Sequence, residues 1–339
     1  MKRNICLLFY LFCLTISVLG QDYKNWVQQA PRLPETYFRS DSARRVAKCL
    51  LAHQIENGAW PKNINFFRTD TIPSDTIRLH SLNEATIDNG ATTTEIRFLM
   101  RLFESTGDSL YLHGAIRGIE YLLSMQYENG GFPQYYPRHD HYHGLITFND
   151  DAMTHVMRLL LQVSRREAPY TRLPLSLSIQ ASVAVDKGIE CILACQYVQH
   201  DSLTVWAQQY DENTLTPAPA RSFELAGLCS AESVGIVEFL MLVREEHPEV
   251  VPAIKAAVNW FRKNRLEDGR WARYYTLEDN RPFFCGRDGV RRFSLEEIDE
   301  ERQHGYSWYN TRAVRLLQHF RYAVHLQAYY LAYLLLAEL

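Results

Sequence analysis

The sequence lacks an excess of charge of either sign. Its 339 residues include 36 Lys and Arg against 39 Asp and Glu, a formal net charge of −3. Proteins that bind nucleic acid usually carry a basic excess or a dense basic stripe, so that class of function is excluded. With 47% hydrophobic and 22% charged residues the composition is that of an ordinary globular protein, long enough for one large domain or two smaller ones.

Long apolar runs are almost absent outside the N-terminus. There, Lys2 and Arg3 precede an apolar run over residues 5–19, and small residues ending at Gly20 lead into a polar segment. This is the pattern of a secretory signal peptide, so we expect cleavage after Gly20 and a mature domain over residues 21–339, secreted or periplasmic. The run is shorter than the ~20 residues of a spanning helix, so we expect no membrane span.

Cysteines are too few and too unevenly placed for a disulfide framework. Of the 7 in the sequence, Cys6 and Cys13 would leave with the signal peptide, and the odd number of five would remain. Cys191 and Cys195 lie four residues apart in an apolar helical pattern, which is more typical of buried small residues than of a bridge or a metal pair. A chain of this length needs no disulfide to stabilise its core.

Strand-like alternation is scarce as well, and helical periodicity takes its place. Apolar residues recur at three- and four-residue spacing in seven segments, which are 46–54, 93–104, 112–126, 152–165, 179–196, 231–244 and 251–264. The sequence therefore predicts an all-α protein.

An internal repeat sets the expected arrangement of these helices. Residues 54–62, QIENGAWPK, are matched 72 residues later by QYENGGFPQ at 126–134, with weaker copies at 205–208 and 268–273. Each Asn-Gly or Asp-Gly suits a positive φ just after a helix end. Two helices and their loops fill one repeat, so we predict an α/α toroid-like barrel of helical hairpins with a long open cleft.

Each repeat carries an aromatic residue, and the four are Trp60, Phe132, Trp206 and Trp271. Any one of them could plug the core beneath its turn. As a set they are better explained by a face that stacks against sugar rings, because flat apolar rings suit a carbohydrate surface. We therefore predict that they line one cleft and that Trp60 contacts substrate.

Two polar clusters place a carboxylate beside an amide where a loop turns into a helix. Asp88 and Asn89 form one, and Asn149, Asp150 and Asp151 form the other. Short polar side chains also cap helices, and we expect one member of each cluster to do so. Three carboxylates at two equivalent loop ends exceed what capping needs, so we predict a hard-cation site at Asp88, Asp150 and Asp151. Between the two neighbouring aspartates, we favour Asp150 over Asp151 as the metal ligand.

Cationic residues concentrate in loops of the C-terminal half. They are Arg221, Arg281, Arg287, Arg291, Arg292 and Arg302. A guanidinium can grip a carboxylate through two parallel hydrogen bonds, although a single arginine is more often a solvated surface charge. We predict substrate contacts for Lys62, which follows the repeat aromatic, and for Arg281, Arg287 and Arg302, while Arg302 could equally lie on a solvated helix face.

Several motifs together resemble the pectate lyases of polysaccharide lyase family ten. The resemblance covers roughly residues 40–310, and its motifs are 60–63 (WPKN), 86–94 (TIDNGATTT), 129–136, 146–153 (ITFNDDAM), 219–224 (PARSFE), 230–236 and the stretch 271–309. It implies an α/α toroid-like fold and calcium-dependent cleavage of polygalacturonate by β-elimination. It also implies an arginine base, which falls at Arg221, and oligogalacturonide products with a 4,5-unsaturated end.

The residues suit this chemistry. Eliminating across C4 and C5 of a uronate requires removal of a proton beside a carboxylate, whose charge must first be neutralised. Ca²⁺ accepts six to eight oxygens in loose geometry, so the three aspartates could share it with substrate while Asn89 contacts the sugar. A guanidinium has a pKa above about 12, so Arg221 as the base predicts an alkaline rate optimum.

Other interpretations stay open at this stage. A glycoside hydrolase could use Asp88 and Asp150 as its acid and base without calcium, and a glycan-binding protein would show no turnover. Residues 310–339 depart from the family pattern and read as an atypical amphipathic helix, which could close the toroid, cover a neighbour or be a divergent terminus. A monomer is the default expectation.

Overall fold

The computed structural model describes residues 25–68 and 80–320. The predicted signal peptide, its cleavage after Gly20, and residues 321–339 of the C-terminal segment lie outside the described residues. The chain divides into two units, Met1–Glu190 and Cys191–Leu339, each with its own set of internal contacts. They are described separately below.

The first unit is built from helices joined by short turns. Its helices are α1 (Asp41–His53), α2 (Thr93–Thr106), α3 (Ser109–Ser124), α4 (Ala152–Ser164) and α5 (Leu175–Cys195). The residues of α5 from Cys191 onward belong to the second unit. The described part of the first unit also contains the short strand β1 (Ile146–Thr147). The side chain of Ser40 accepts from the N–H of Ala43 at 3.2 Å to start α1. Gly107, at φ 72°, ends α2 so that α3 packs back against it.

The second unit combines helices with short strands. The helices are α6 (Ser230–Val243), α7 (Val250–Lys263) and α8 (Glu300–Gly305), and residues 312–320 are also helical. The strands are β2 (Val198–Gln199), β3 (Ser202–Leu203), β4 (Gln209–Tyr210), β5 (Leu228–Cys229), β6 (Trp271–Ala272), β7 (Tyr274–Tyr275), β8 (Pro282–Cys285), β9 (Arg291–Arg292) and β10 (Tyr309–Asn310). Four of them form an antiparallel sheet in the order β5-β7-β8-β9.

One aromatic cluster forms the core around this small sheet. It joins Phe223 and Cys229 to Tyr274, Phe283, Phe284, Cys285, Ile298 and Trp308. Strands of two to four residues are too short to show alternation, which is why the sequence did not predict them. The five cysteines of the described segments are buried thiols, as predicted for Cys191 and Cys195.

The predicted repeat is present as a repeated hydrogen-bonded clamp. At the end of α1, Nε2 of Gln54 donates to the carbonyls of Gly58 in the following turn and Gly114 in α3, both at 2.8 Å. The clamp recurs at the ends of the next two repeat helices, where Gln126 donates to Gly130 (3.0 Å) and Ala184 (2.8 Å), and Gln196 donates to Thr204 (2.8 Å) and Ala253 (3.0 Å). Each glutamine therefore ties its own turn to the helix two positions further along the chain.

The prediction that the repeat aromatics line a sugar-binding face is wrong. All four rings are fully buried at 0% exposure, and Trp60 therefore has no surface on which a sugar could stack. The three indole N–H groups each donate to a carbonyl of the preceding helix, Trp60 to Leu50 (2.8 Å), Trp206 to Ile192 (2.7 Å) and Trp271 to Phe261 (2.9 Å). The rings pack in the core under each turn, and the buried indole N–H groups have hydrogen-bond acceptors there.

Replacing Gly58 by alanine should destabilise the first unit strongly. Gly58 has φ 96°, and a Cβ there would lie 2.2 Å from the carbonyl oxygen of Arg117. The new methyl group would have to push α3 away, so we expect a loss of about 2 kcal/mol or more in the free energy of unfolding. Gly107 is the matched control, since φ is 72° but no atom lies within 4 Å of its Cβ position. Urea unfolding should show a smaller loss, about 1 kcal/mol, for Gly107→Ala, and equal losses would contradict the steric argument.

Candidate functional site

Two acidic turns in the first unit contact each other. They are the 3₁₀ turns Asp88–Gly90 and Asn149–Asp151. The central residue of each is left-handed, Asn89 at φ 53° and ψ 28° and Asp150 at φ 51° and ψ 32°, so the two turns have the same shape. The structure therefore brings together the two polar clusters that the sequence singled out.

Helix capping does not account for these acidic residues. The N-cap positions of α2 and α4 are held by Thr92 and Asp151, and neither side chain accepts a capping hydrogen bond from its helix. The prediction that a member of each cluster caps its helix through its side chain is therefore wrong. Asp88 is instead the buried member of the set, at 3% exposure, while Asp150 is exposed and Asp151 is half-buried.

Asp88 has two oxygens in different situations. Its Oδ2 forms an ion pair with Nζ of Lys62, whereas its Oδ1 is buried and has no hydrogen-bond partner within the described segments. Burial alone would lower the pKa of Lys62, but the Asp88 carboxylate and Tyr135 raise it above its ordinary value. Lys62 therefore stays cationic at alkaline pH, and Asp88 keeps one oxygen for a further partner.

A threonine network fixes the backbone on either side of Asp88. The N–H of Asp88 donates to Oγ1 of Thr86 at 3.0 Å, and that hydroxyl donates to the carbonyl of Gln134 at 2.7 Å. Oγ1 of Thr92 donates to the carbonyl of Thr86 at 2.9 Å and accepts from the N–H of Trp60 at 3.0 Å. Thr92 itself has φ 63° and ψ −48°, an unfavourable backbone for a β-branched residue, so the network holds the loop in a strained shape.

The donor set can be compared with the needs of calcium. The described residues contain no group of three or more His, Cys, Asp or Glu side chains placed to hold a metal. They do contain a buried carboxylate oxygen without a hydrogen bond, at Asp88, beside a second turn with Asp150 and Asp151. Ca²⁺ takes six to eight oxygens, of which water and a substrate carboxylate can supply several. The residues could supply some of the oxygen ligands of a Ca²⁺ ion, with substrate and water supplying the others. They are too few to complete its coordination alone.

In the second unit, Arg221 is held by a buried carboxylate. Its Nε donates to Oε2 of Glu224 at 2.6 Å and its Nη2 contacts Oε1, a bidentate pair in which Glu224 is buried and Arg221 remains 45% exposed. Burial would raise the pKa of Glu224, but Arg221 and the hydroxyl of Tyr306 lower it below the ordinary value. Glu224 is therefore ionised, and it orients the guanidinium.

Further polar residues extend this pair into the core. The hydroxyl of Tyr306 donates to Glu224 at 2.8 Å and lies 2.8 Å from the hydroxyl of Tyr274, which in turn donates to Gln208. Glu224 and Tyr306 do not stand out in the sequence as candidate site residues. The signal for Glu224 was its place three residues after Arg221 in the segment 219–224, because that spacing lets the two side chains meet across one turn.

Three predicted arginines lie close to one ring, that of Phe223. The guanidinium carbons of Arg221 and Arg302 are each 4.8 Å from its centroid, and that of Arg287 is 5.8 Å away. The side chain of Arg302 is only 9% exposed, so the alternative of a solvated helix face is wrong. Arg281 is not part of this group, since its guanidinium packs at 3.6 Å on the ring of Phe293.

The buried carboxyl of Glu95 lies in the first turn of α2, close to the acidic turns in sequence. Oε1 of Glu95 accepts from the indole N–H of Trp26 at 2.8 Å, and its Oε2 is buried without a hydrogen bond from the described residues. Burial raises the pKa of Glu95 to about 7. The folded protein therefore favours the protonated acid.

Replacing Glu95 by glutamine should therefore change how stability depends on pH. A carboxyl with a raised pKa contributes fully to stability below its unfolded pKa near 4.3, and that contribution is lost as pH rises to about 7. We expect Glu95→Gln to be more stable than wild type at pH 8 by on the order of 3 kcal/mol, with little difference at pH 4. The control is Glu104→Gln, on the exposed face of the same helix. Equal pH profiles for both variants in thermal unfolding would contradict the argument.

The chain was compared with known proteins. The family model described as pectic acid lyase matches residues 54–270 and 267–317. No curated protein sequence matches the chain. A solved family 10 polysaccharide lyase from Cellvibrio cellulosa shares 30% identity at a TM-score of 0.77, over 89% of this chain and 96% of that one. A mutant of that lyase in complex with trigalacturonic acid matches with the same identity and TM-score, over 97% of its chain.

These matches extend over most of the chain. The helix-rich architecture together with the likeness to the Cellvibrio lyase confirms the predicted α/α fold class. Among the described residues no helix is both long and apolar enough to cross a membrane. The chain therefore belongs to the pectic acid lyase family and is a family 10 polysaccharide lyase.

Proposed function

We propose that this lyase cleaves polygalacturonate by calcium-assisted β-elimination, with Arg221 as the base. The observation that carries the proposal is the arrangement around Arg221. An exposed guanidinium is oriented by a buried carboxylate and lies beside a ring that two further arginines share. The likeness to a lyase whose mutant binds trigalacturonic acid supports an oligogalacturonide as the ligand.

Each unit, taken by itself, offers cationic or amide groups as candidates for substrate binding. Lys62 stays charged at alkaline pH beside Asp88, and Asn89 is half-buried next to it, with its Nδ2 3.3 Å from Oδ1 of Asn63. Arg287 and Arg302 offer planar donors suited to a carboxylate. Arg281 is a more distant candidate, because it packs on Phe293 away from that group.

The proposed metal would be held by Asp88 and by Asp150, Asp151 or both. Ca²⁺ held there would supply the positive charge that neutralises a uronate carboxylate, and that would make the proton on C5 more acidic. In its neutral form Arg221 would take the C5 proton of a galacturonate, the electron pair would form the C4–C5 double bond, and the glycosidic oxygen would leave C4 and take up a proton from water. Because Glu224 stabilises the protonated guanidinium, the reactive neutral form is scarce at neutral pH, and the rate should rise toward alkaline pH.

The test is an assay on polygalacturonate at alkaline pH, with calcium and with a chelator. The lyase proposal predicts an ultraviolet-absorbing unsaturated uronide that forms with calcium and is lost with the chelator. New reducing ends without unsaturation, insensitive to the chelator, would favour a hydrolase that uses Asp88 and Asp150. Binding of trigalacturonate without any product would favour a glycan-binding protein.

The proposal also includes where the protein is located. An N-terminal segment typical of a signal peptide and a match to the pectic acid lyase family support export, secreted or periplasmic, with the mature chain starting after Gly20. N-terminal sequencing of the exported protein would test it. A monomer remains the default proposal.

A further inference from the structure

Two of the arginines near Phe223 bind the same carboxylate, that of Glu301. Nε and Nη2 of Arg287 lie 2.9 Å and 3.1 Å from Oε2 and Oε1 of Glu301. Nε of Arg302 lies 2.7 Å from Oε2, and its Nη2 contacts Oε1. Both forks are therefore bidentate on one acid, which is the way proteins bind a planar carboxylate ligand.

Contacts other than those with Glu301 also help to position these arginines. The N–H of Arg287 donates to Oδ1 of Asp299 at 3.3 Å, and the carbonyl of Arg302 accepts from the indole of Trp308 at 2.8 Å. Both guanidiniums also pack on Phe223. The double-arginine site would therefore survive if the Glu301 side chain turned away.

The side chain of Glu301 is also exposed enough to turn away from the two arginines. Its side chain is 56% exposed, and it projects from the first turn of the short helix α8. Hydrogen bonds from Arg302 and Arg287 hold its pKa at about 2, so it is a carboxylate at every pH at which the enzyme would act. The pair with Arg287 is exposed on both sides and contributes little to stability, whereas Arg302 is buried and needs a carboxylate partner, which a competing carboxylate would supply in place of the glutamate.

The proposed substrate supplies that competitor. Polygalacturonate carries one carboxylate on each sugar, and Arg221 lies against the same ring of Phe223 as Arg287 and Arg302. A uronate carboxylate at the double-arginine site would therefore lie on the same side of the second unit as the proposed base. The two arginines carry more charge than Glu301 neutralises, which favours an anionic chain over a neutral one.

We propose that Glu301 is an internal substitute for a substrate carboxylate. On binding, a galacturonate carboxylate displaces Glu301 from Arg287 and Arg302, and this competition limits affinity while selecting against methyl-esterified sugars. A neutral ester offers no anion to exchange for the glutamate, so it leaves the internal pair in place. This inference rests on the proposed function, because it takes galacturonate as the ligand.

The test is the variant Glu301→Gln, which keeps the shape and removes the competing charge. We expect trigalacturonate to bind more tightly, and KM for polygalacturonate to fall about threefold to tenfold, with kcat within about twofold of wild type. The gain should shrink on highly methyl-esterified pectin. Weaker or unchanged binding would overturn the proposal, because Glu301 would then be holding the arginines in place.

The matched control is Glu278→Gln. Glu278 is an exposed glutamate of the same unit, paired with Arg291 at 3.5 Å, and its removal adds the same net charge. If both variants gained the same affinity for trigalacturonate, the change in net charge would explain the result and the proposal would fail. Binding of trigalacturonate can be measured by calorimetry without turnover. Failure of the lyase proposal would appear differently, because the wild-type enzyme would then form no unsaturated product.

Discussion

Replacing Asp88 by asparagine is expected to lower kcat/KM on polygalacturonate by on the order of 10³-fold and to abolish the response to calcium. The change keeps the shape of the side chain but removes its charge. Oδ1 of Asp88 is buried and has no hydrogen-bond partner among residues 25–68 and 80–320, and Asp88 is the most deeply buried carboxylate of the two acidic turns there. An amide there would be a far weaker ligand for a hard cation.

The same substitution should free Lys62 from its partner. Lys62 is partly exposed, with 31% of its side chain accessible, so water can solvate the ammonium and the protein should still fold. The assay is initial rate against calcium concentration, with thermal unfolding as a check on the fold. A normal kcat and a normal calcium response in Asp88→Asn would contradict the assignment and move it to Asp150 or Asp151.

Asp41→Asn is the control for this prediction. Asp41 is 85% exposed in the first turn of α1 and pairs with Arg44 at 2.9 Å, so the substitution removes the same charge from the same unit. We expect less than about a twofold change in rate, because exposed ion pairs contribute little and solvent screens their charge. Comparing Asp150→Asn and Asp151→Asn with both variants would separate the two neighbouring carboxylates.

The helices were predictable because their apolar residues recur at helical spacing over a dozen residues or more. The turns were predictable too, since Asn-Gly after a helix end requires a positive φ, and Gly58 and Gly130 have φ of 96° and 87°. The small strands escaped prediction because they are too short to have a period. Tertiary hydrogen bonds define them instead, as between β7 and β8.

The role of the repeated aromatics could not be decided from sequence. A ring that plugs a core and a ring that stacks on a sugar are the same residue type at the same position in a repeat. The deciding fact is the partner of the indole N–H, a helix carbonyl ten residues earlier for Trp60. That contact depends on how the turn folds back over the helix, which local pattern does not encode.

For the candidate site, the sequence identified single residues better than their partners. Asp88 and Arg221 stood out because acidic turns and loop arginines suit an anionic substrate. Glu224 and Glu301 did not, because each looks like an ordinary surface acid until its geometry is known. Glu224 lies buried under Arg221, while Glu301 lies between two guanidiniums, and only the folded second unit makes that distinction.

Replacing Arg221 by lysine is expected to reduce kcat by about 10²- to 10⁴-fold at the optimum pH of the wild type, the usual contribution of a general base. Lysine keeps the positive charge but cannot form the bidentate pair with Glu224, so the donor loses its orientation. Its ordinary pKa near 10.4 is lower than that of arginine. The residual rate should therefore reach its maximum at a lower pH than the rate of the wild type.

The pH dependence separates a base from a group that only binds substrate. If Arg221 merely attracted a carboxylate, Arg221→Lys would raise KM and leave the shape of the kcat profile unchanged. Trigalacturonate should still bind within a few-fold of wild type, because Arg287 and Arg302 remain. The control is Arg270→Lys, an exposed arginine of the same unit that pairs with Asp268 at 2.7 Å and should have a normal rate and profile. An Arg221→Met variant with substantial lyase activity would exclude Arg221 as the base, whatever the profile of the lysine variant.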